Sequence, residues 1–188
     1  MNFGAMISRL IRAARLDASL YEEVEADSSL NQEALMAVVL VAAITGIVGF
    51  LATLITGAGI VAALLSLVWG VAWAIIGYFL FAFLAYIIAS KLFGASTDFG
   101  EMRRVLGYAY GPNILSLIPC LGWIVAPLWT LVAGVVAVRQ AMDQDTGKAV
   151  ITTLIAIVVV VVLGLALGTV FSIGNAGFGA ITEAFQGI

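Results

Sequence analysis

The stretch Gly107–Trp129, GYAYGPNILSLIPCLGWIVAPLW, decides how the rest of the chain is read. It holds all three prolines, Pro112, Pro119 and Pro127, the only cysteine, Cys120, and two of the four tryptophans. Proline lacks a backbone donor and interrupts a helix. This is therefore the one broken region in a chain that otherwise reads as long apolar helix. The 188 residues are 63% hydrophobic and only 10% charged, with no histidine, whereas a soluble domain carries about 25% charged residues. The fold class that follows is all-α, a polytopic membrane protein.

Working outward, five apolar segments can be placed. Spans at about 34–56, 60–90, 105–118, 121–138 and 149–171 form one transmembrane domain over 34–171. Gly57-Ala58-Gly59 turns the chain between the first two, which makes them antiparallel neighbours. The second is long, roughly 45 Å against a hydrocarbon core of ~30 Å, so it must tilt, kink or project. Its aromatic residues Trp69, Trp73, Tyr78 and Tyr86 are spread along its length and read as packing residues, with a cavity as the lesser alternative. The third and fourth spans are the short, broken ones, with a turn at Pro119–Gly122. The fifth carries a Gly164–Gly168 pair suited to close helix contact. Residues 172–188 read as a short glycine-rich external tail with a brief helix around 181–185.

Before the first span lies a lead segment, residues 1–33. Phe3, Met6, Ile7, Leu10, Ile11 and Ala14 recur with helical period, and Arg9, Arg12 and Arg15 fall opposite. An amphipathic helix of this kind suits a lipid headgroup boundary; packing against the bundle is the alternative. Residues 17–33 are acidic and read as a solvated linker, although Tyr21 and Val24 would support a second amphipathic turn. Ser29 and Gln32 have capping-box spacing for the first span, and Ser96 or Thr97 is placed to cap a helix starting near Asp98. No cleavable signal is expected, because the lead is mixed and charged rather than apolar.

Charge sets an orientation. All eight basic residues fall in the lead segment (Arg9, Arg12, Arg15), in the loop at 91–104 (Lys91, Arg103, Arg104) and after the fourth span (Arg139, Lys148). Five spans put these three regions on one side, and the positive-inside rule makes that side cytoplasmic, N-in and C-out. Treating 105–138 as one crossing would strand Arg139 and Lys148 outside.

Composition also excludes chemistry. Without histidine and with one cysteine, the chain has poor metal-ligand supply, no disulfide and no base for a nucleophile. The spans carry no charged groups away from their ends, which argues against a coupled carrier. No metal, no cofactor, no catalytic residue and no nucleic-acid partner is expected. The polar groups that remain at membrane depth are Tyr108, Tyr110, Asn113, Ser116 and several threonines. The candidate binding set is Tyr108, Tyr110, Gly111, Pro112 and Asn113, with Arg103 and Arg104 just before it. The plain alternative is a kinked helix whose glycine and proline allow close packing.

Gly107-Tyr108-Ala109-Tyr110-Gly111-Pro112 resembles the GY-x-x-x-P motif of the Yip1 domain family of multi-pass membrane proteins. The lead LDASLYEEVEADSSLNQEALM resembles the approach to the first span in that family's bacterial branch, and PCLGWIVAPLWTLVAGVVAVRQAM resembles its fourth span with the arginine that follows. The chain lacks the DLYGP motif and the long cytosolic lead of eukaryotic members, which are associated with Rab GTPases. The resemblance implies a non-enzymatic protein of a bacterial cytoplasmic membrane. It would act in membrane organisation or a trafficking-like role through membrane lipids, a membrane or cytoplasmic protein partner, or copies of itself. The alternative is a channel or carrier for a small or neutral solute through the broken spans.

Overall fold

The computed structural model describes residues 2–118 and 121–186, the side chains of Trp123, Asn175 and 177–186 excepted. The helices are α1 Phe3–Ala14, α2 Ala18–Ala26, α3 Asn31–Ile55, α4 Gly59–Leu92, α5 Phe99–Ala109, α6 Gly122–Met142 and α7 Thr146–Gln186. Two 3₁₀ segments, Ser28–Leu30 and Gly111–Leu117, complete them, and no strand occurs among the described residues. Four helical stretches are long and apolar enough to cross a membrane: Ser28–Ile55, Gly59–Leu92, Ile124–Met142 and Thr146–Gly174. The protein is an all-helical, multi-pass membrane protein.

The segment expected at 105–118 is built from two pieces. α5 has 11 residues and ends at Ala109. Pro112 has no N–H to offer the carbonyl four residues back, and the chain continues as the tighter 3₁₀ coil through Leu117. Of the expected turn at 119–122, Pro119 and Cys120 lie outside the described residues. Beyond it, Gly122 opens α6 against the 3₁₀ segment, and a Cβ there would meet the Leu115 carbonyl oxygen at 2.3 Å.

Long helices flank this hairpin. α3 and α4 pair through a turn at Gly57 and Gly59, which hold φ of +79° and +84°, a conformation natural to glycine. α4 and α7 meet through aromatic rings. Trp69 stacks on Phe171 with centroids 4.6 Å apart, and Trp73 covers Gly164 so closely that a Cβ would sit 2.7 Å from its ring. Gly164 thus packs inside the chain, while Gly168 faces open space.

The helices are not equally tall. Phe81 of α4 lies beside Gly134 of α6. From that level, at roughly 1.5 Å per residue, α4 runs about 33 Å further to Gly59, but α6 only about 18 Å to Gly122. α6 therefore begins about 15 Å short of the α3–α4 turn.

Four expectations are corrected. The acidic lead at 17–33 is not a solvated linker: α2 buries Leu20, Tyr21 and Val24 completely, because α5 and α6 offer a surface that local composition does not reveal. The cap before α3 is Asp27, whose carboxylate accepts the Ser29 N–H at 2.9 Å and starts the 3₁₀ turn, rather than Ser29 with Gln32. Asp98, rather than Ser96 or Thr97, caps α5 in a reciprocal box with Glu101 at 2.9 and 2.8 Å. The last helix does not end at 171; α7 continues to Gln186, and only Gly187 and Ile188 of the expected tail lie outside the described residues. Gly122→Ala is expected to force α6 and the 3₁₀ segment apart at their backbone contact, at a cost of about 1–3 kcal/mol, read as a lowered Tm in detergent.

Candidate functional site

The two tyrosines of the quoted stretch go to different places. Gly107 lets α5 approach α3 to backbone contact, since a Cβ there would lie 3.0 Å from the Ala34 carbonyl oxygen and methyl. That approach carries Tyr108, fully buried, to Glu33 at the start of α3. Its hydroxyl donates to Glu33 Oε1 at 2.7 Å. The same oxygen accepts from Arg9 Nη1 of α1 at 2.6 Å. Glu33 is only 6% exposed, and a carboxylate so enclosed requires both a charge partner and hydrogen bonds.

Around this centre the lead segment is fastened down. Arg9 also reaches Glu23 at 3.0 Å, and Arg12 bridges Asp17 at 2.8 Å and Glu23 at 2.7 Å. Hydrogen bonds from Ser19 and Arg12 hold the Asp17 carboxyl down at about 2. Arg104, buried on α5, donates to the last carbonyls of α2, Val24 at 3.0 Å and Glu25, which suits a cation at a helix C-terminus. Arg103 and Arg104 both donate to Asn31 Oδ1, at 2.9 and 3.3 Å. Trp129 Nε1 donates to the Ala14 carbonyl at 2.6 Å, tying α6 to the end of α1. Two of the three arginines expected at the membrane surface are thus engaged by carboxylates within the chain, and Arg15 is exposed.

Tyr110 and Asn113 turn the other way. They line a cavity of about 210 Å³ whose remaining walls come from α4, α5, α6 and α7, among them Trp73, Gly77, Leu106, Thr130 and Thr153. Pro112 and Gly111 are buried, with Gly111 pressed against Leu10 of α1, so they shape the segment rather than face the cavity. Asn113 spends its Nδ2 on the Tyr110 carbonyl at 3.1 Å. A second hollow of about 300 Å³ lies on the α3 side and shares Tyr110 and Asn113, adding Thr45, Gly49 and Ser116. The 3₁₀ segment is thus a partition with hollows on both faces.

Sequence reasoning brought out Tyr110 and Asn113 but missed Glu33, Asn31, Thr130 and Thr153. In sequence Glu33 falls in the acidic run 17–33, one residue before the first expected span, and carries no signal that separates it from its neighbours. The threonines gave none, since threonine is common in such helices.

Two outcomes follow. Arg9→Met leaves Glu33 enclosed with Tyr108 alone, and is expected to cost on the order of 3 kcal/mol; Arg9→Met/Glu33→Gln recovers part of it, read by thermal unfolding. Burial, with Asp143 and Glu101 nearby, pushes Glu25 up from its usual 4.5 to about 7. The folded state then holds a proton that the unfolded state releases, so this residue's contribution falls as pH rises from about 4.5 to 7 and stays low above. Glu25→Gln should raise Tm at pH 8 and leave it unchanged at pH 4; an equal gain at both would refute the assignment.

Comparison with known proteins agrees with this architecture. The family model of the Yip1 domain matches residues 18–168, from α2 through most of α7. No curated protein and no solved structure matches the chain. The matched region includes the acidic lead, the α3–α4 pair and the broken hairpin, and the chain belongs to the Yip1 domain family.

Proposed function

We propose that this is a non-enzymatic binding protein of the membrane interior, holding a lipid or protein partner in membrane organisation or a trafficking-like role, with copies of itself as one partner class. The observation that carries the reading is the cavity beside the broken helix. Its walls are largely apolar, a few uncharged polar groups converge on it, and none of the described residues that line it is charged. That is the composition of a binding site. The chain has no histidine, and the Tyr108 hydroxyl donates a hydrogen bond to a carboxylate already held by Arg9, an arrangement that fixes structure rather than activates a nucleophile. Native mass spectrometry of the full chain extracted from membranes should show a retained lipid or protein. A bare monomer under all gentle conditions would count against the proposal.

The orientation proposed with it is N-in and C-out in a bacterial cytoplasmic membrane, with five membrane segments. The hairpin of α5, the 3₁₀ segment and α6 enters from the cytoplasmic side and returns to it. Its short reach accords with a tip inside the bilayer, and either depth of the tip leaves every basic loop on one side. In a Cys120→Ser background, Thr56→Cys should react with an impermeant maleimide from outside, and Ser96→Cys and Gln144→Cys only after permeabilisation.

A second reading, passage of a small neutral solute, draws on one observation: Tyr110 and Asn113 border hollows on both faces of the 3₁₀ segment. Irregular backbone at membrane depth is tolerated where it lines a cavity. Liposome flux that falls in Pro112→Ala and Asn113→Ala would favour passage over binding; flux no greater than that of empty liposomes would remove it.

A further inference from the structure

The cavity beside Tyr110 has a polar pattern that its protein walls do not complete. Thr153 is fully buried, yet its Oγ1 has no hydrogen-bond partner among the described residues, and the same holds for Thr130 Oγ1 on the facing helix. Both residues line the cavity. Asn113 gives its amide N–H to the Tyr110 carbonyl, which leaves its Oδ1 as an acceptor. Buried polar groups normally find partners, so a molecule able to both donate and accept hydrogen bonds would complete this set. The rest of the wall, including Trp73, Gly134 and Leu106, asks for apolar contact.

Three occupant classes can be weighed. A phosphate-bearing headgroup needs cations, and none lines the cavity among the described residues. Three arginines outside it engage other groups: Arg9 binds Glu23 and Glu33, Arg104 binds Asn31 and the carbonyls of α2, and Arg103 gives Nη2 to Asn31 while its buried Nε is unpaired among the described residues. The cavity also meets α4 between Trp73 and Phe81, well inside that helix, where a charge is costly. A bare acyl chain satisfies the apolar wall and leaves both threonine hydroxyls unpaired. Water satisfies the hydroxyls but wets apolar walls that favour a dry occupant. An uncharged molecule with a hydroxyl at one end and a hydrocarbon body satisfies both demands.

We infer that the cavity is the seat of one neutral, hydroxyl-bearing lipid of the diacylglycerol or long-chain-alcohol class. Its hydroxyl lies between Thr130, Thr153 and Asn113, and its apolar body passes along Trp73. This rests on the binding reading above and names the ligand class for it.

The test uses the full chain in phosphatidylcholine nanodiscs, offered equal amounts of dioleoylglycerol and dioleoylphosphatidylglycerol, with retained lipid counted by native mass spectrometry. One diacylglycerol per chain is expected, preferred at least tenfold. Thr130→Val/Thr153→Val keeps side-chain shape and should lower that retention at least tenfold with Tm unchanged, whereas Thr45→Val, in the second hollow, should not. If the double variant fails to fold, Asn113→Leu tests the same set from the 3₁₀ side. Equal retention of both lipids, indifferent to the valines, overturns the neutral-lipid assignment and leaves lipid binding standing. Retention of a protein partner with no lipid also overturns it, while the wider binding reading survives. A bare chain with neither lipid nor protein removes both.

Discussion

One carboxylate joins three helices that are distant in sequence. Glu33 begins α3, and its Oε1 takes hydrogen bonds from Arg9 of α1 and Tyr108 of α5. A charge at 6% exposure is tolerated only when partnered, and removing a partner is far more costly than the pair is stabilising. The consequence is geometric. α1 must lie across the start of α3, and α5 must approach α3 closely, which it does because Gly107 and Ala34 carry little bulk. Arg104 and Asn31 extend the same junction to α2. The amphipathic lead is thus a built part of the domain, and its cationic face is largely spent on Glu23, Glu33 and Asp17.

The second constraint is the broken helix that follows. Once α5 is fastened by Tyr108, Pro112 ends regular helix where neighbouring helices continue. Tyr110 caps α5 two residues after Tyr108, and residues two apart on a helix do not share a face; the 3₁₀ segment that follows places Asn113 beside Tyr110 on the cavity lined by α4, α6 and α7. Structural and functional roles separate within three residues: Tyr108 holds the fold and Tyr110 borders the cavity. Toward the Gly122 end of α6, α4 and α7 meet through Trp69 on Phe171 and Trp73 over Gly164.

The class of the protein was legible in the order of its residues. Length and purity of the apolar runs require membrane helices, because only intra-segment hydrogen bonding satisfies a backbone in lipid. The confinement of basic residues to alternate loops, the helix break at Pro112, the glycine turn at 57–59 and the absence of histidine chemistry were all legible, since each is a local or compositional property. The motif at Gly107–Pro112 likewise pointed to the family that the chain proves to belong to.

The remaining features come from how the helices pack. That α2 is a buried helix depends on a surface made by α5 and α6, more than seventy residues away in sequence. That Asp98 caps α5 instead of Ser96 or Thr97 depends on a one-residue choice of start, within the usual error of reading helix ends. That Thr130 and Thr153 share a cavity with Asn113 depends on how three helices pack around a break. Hydrophobic period tells which face of a helix is apolar; in a membrane nearly every face is, so the pattern cannot say which neighbour a face meets. Close approach at small residues and a few buried polar bonds make that choice, and these are properties of pairs that a single chain of letters does not display.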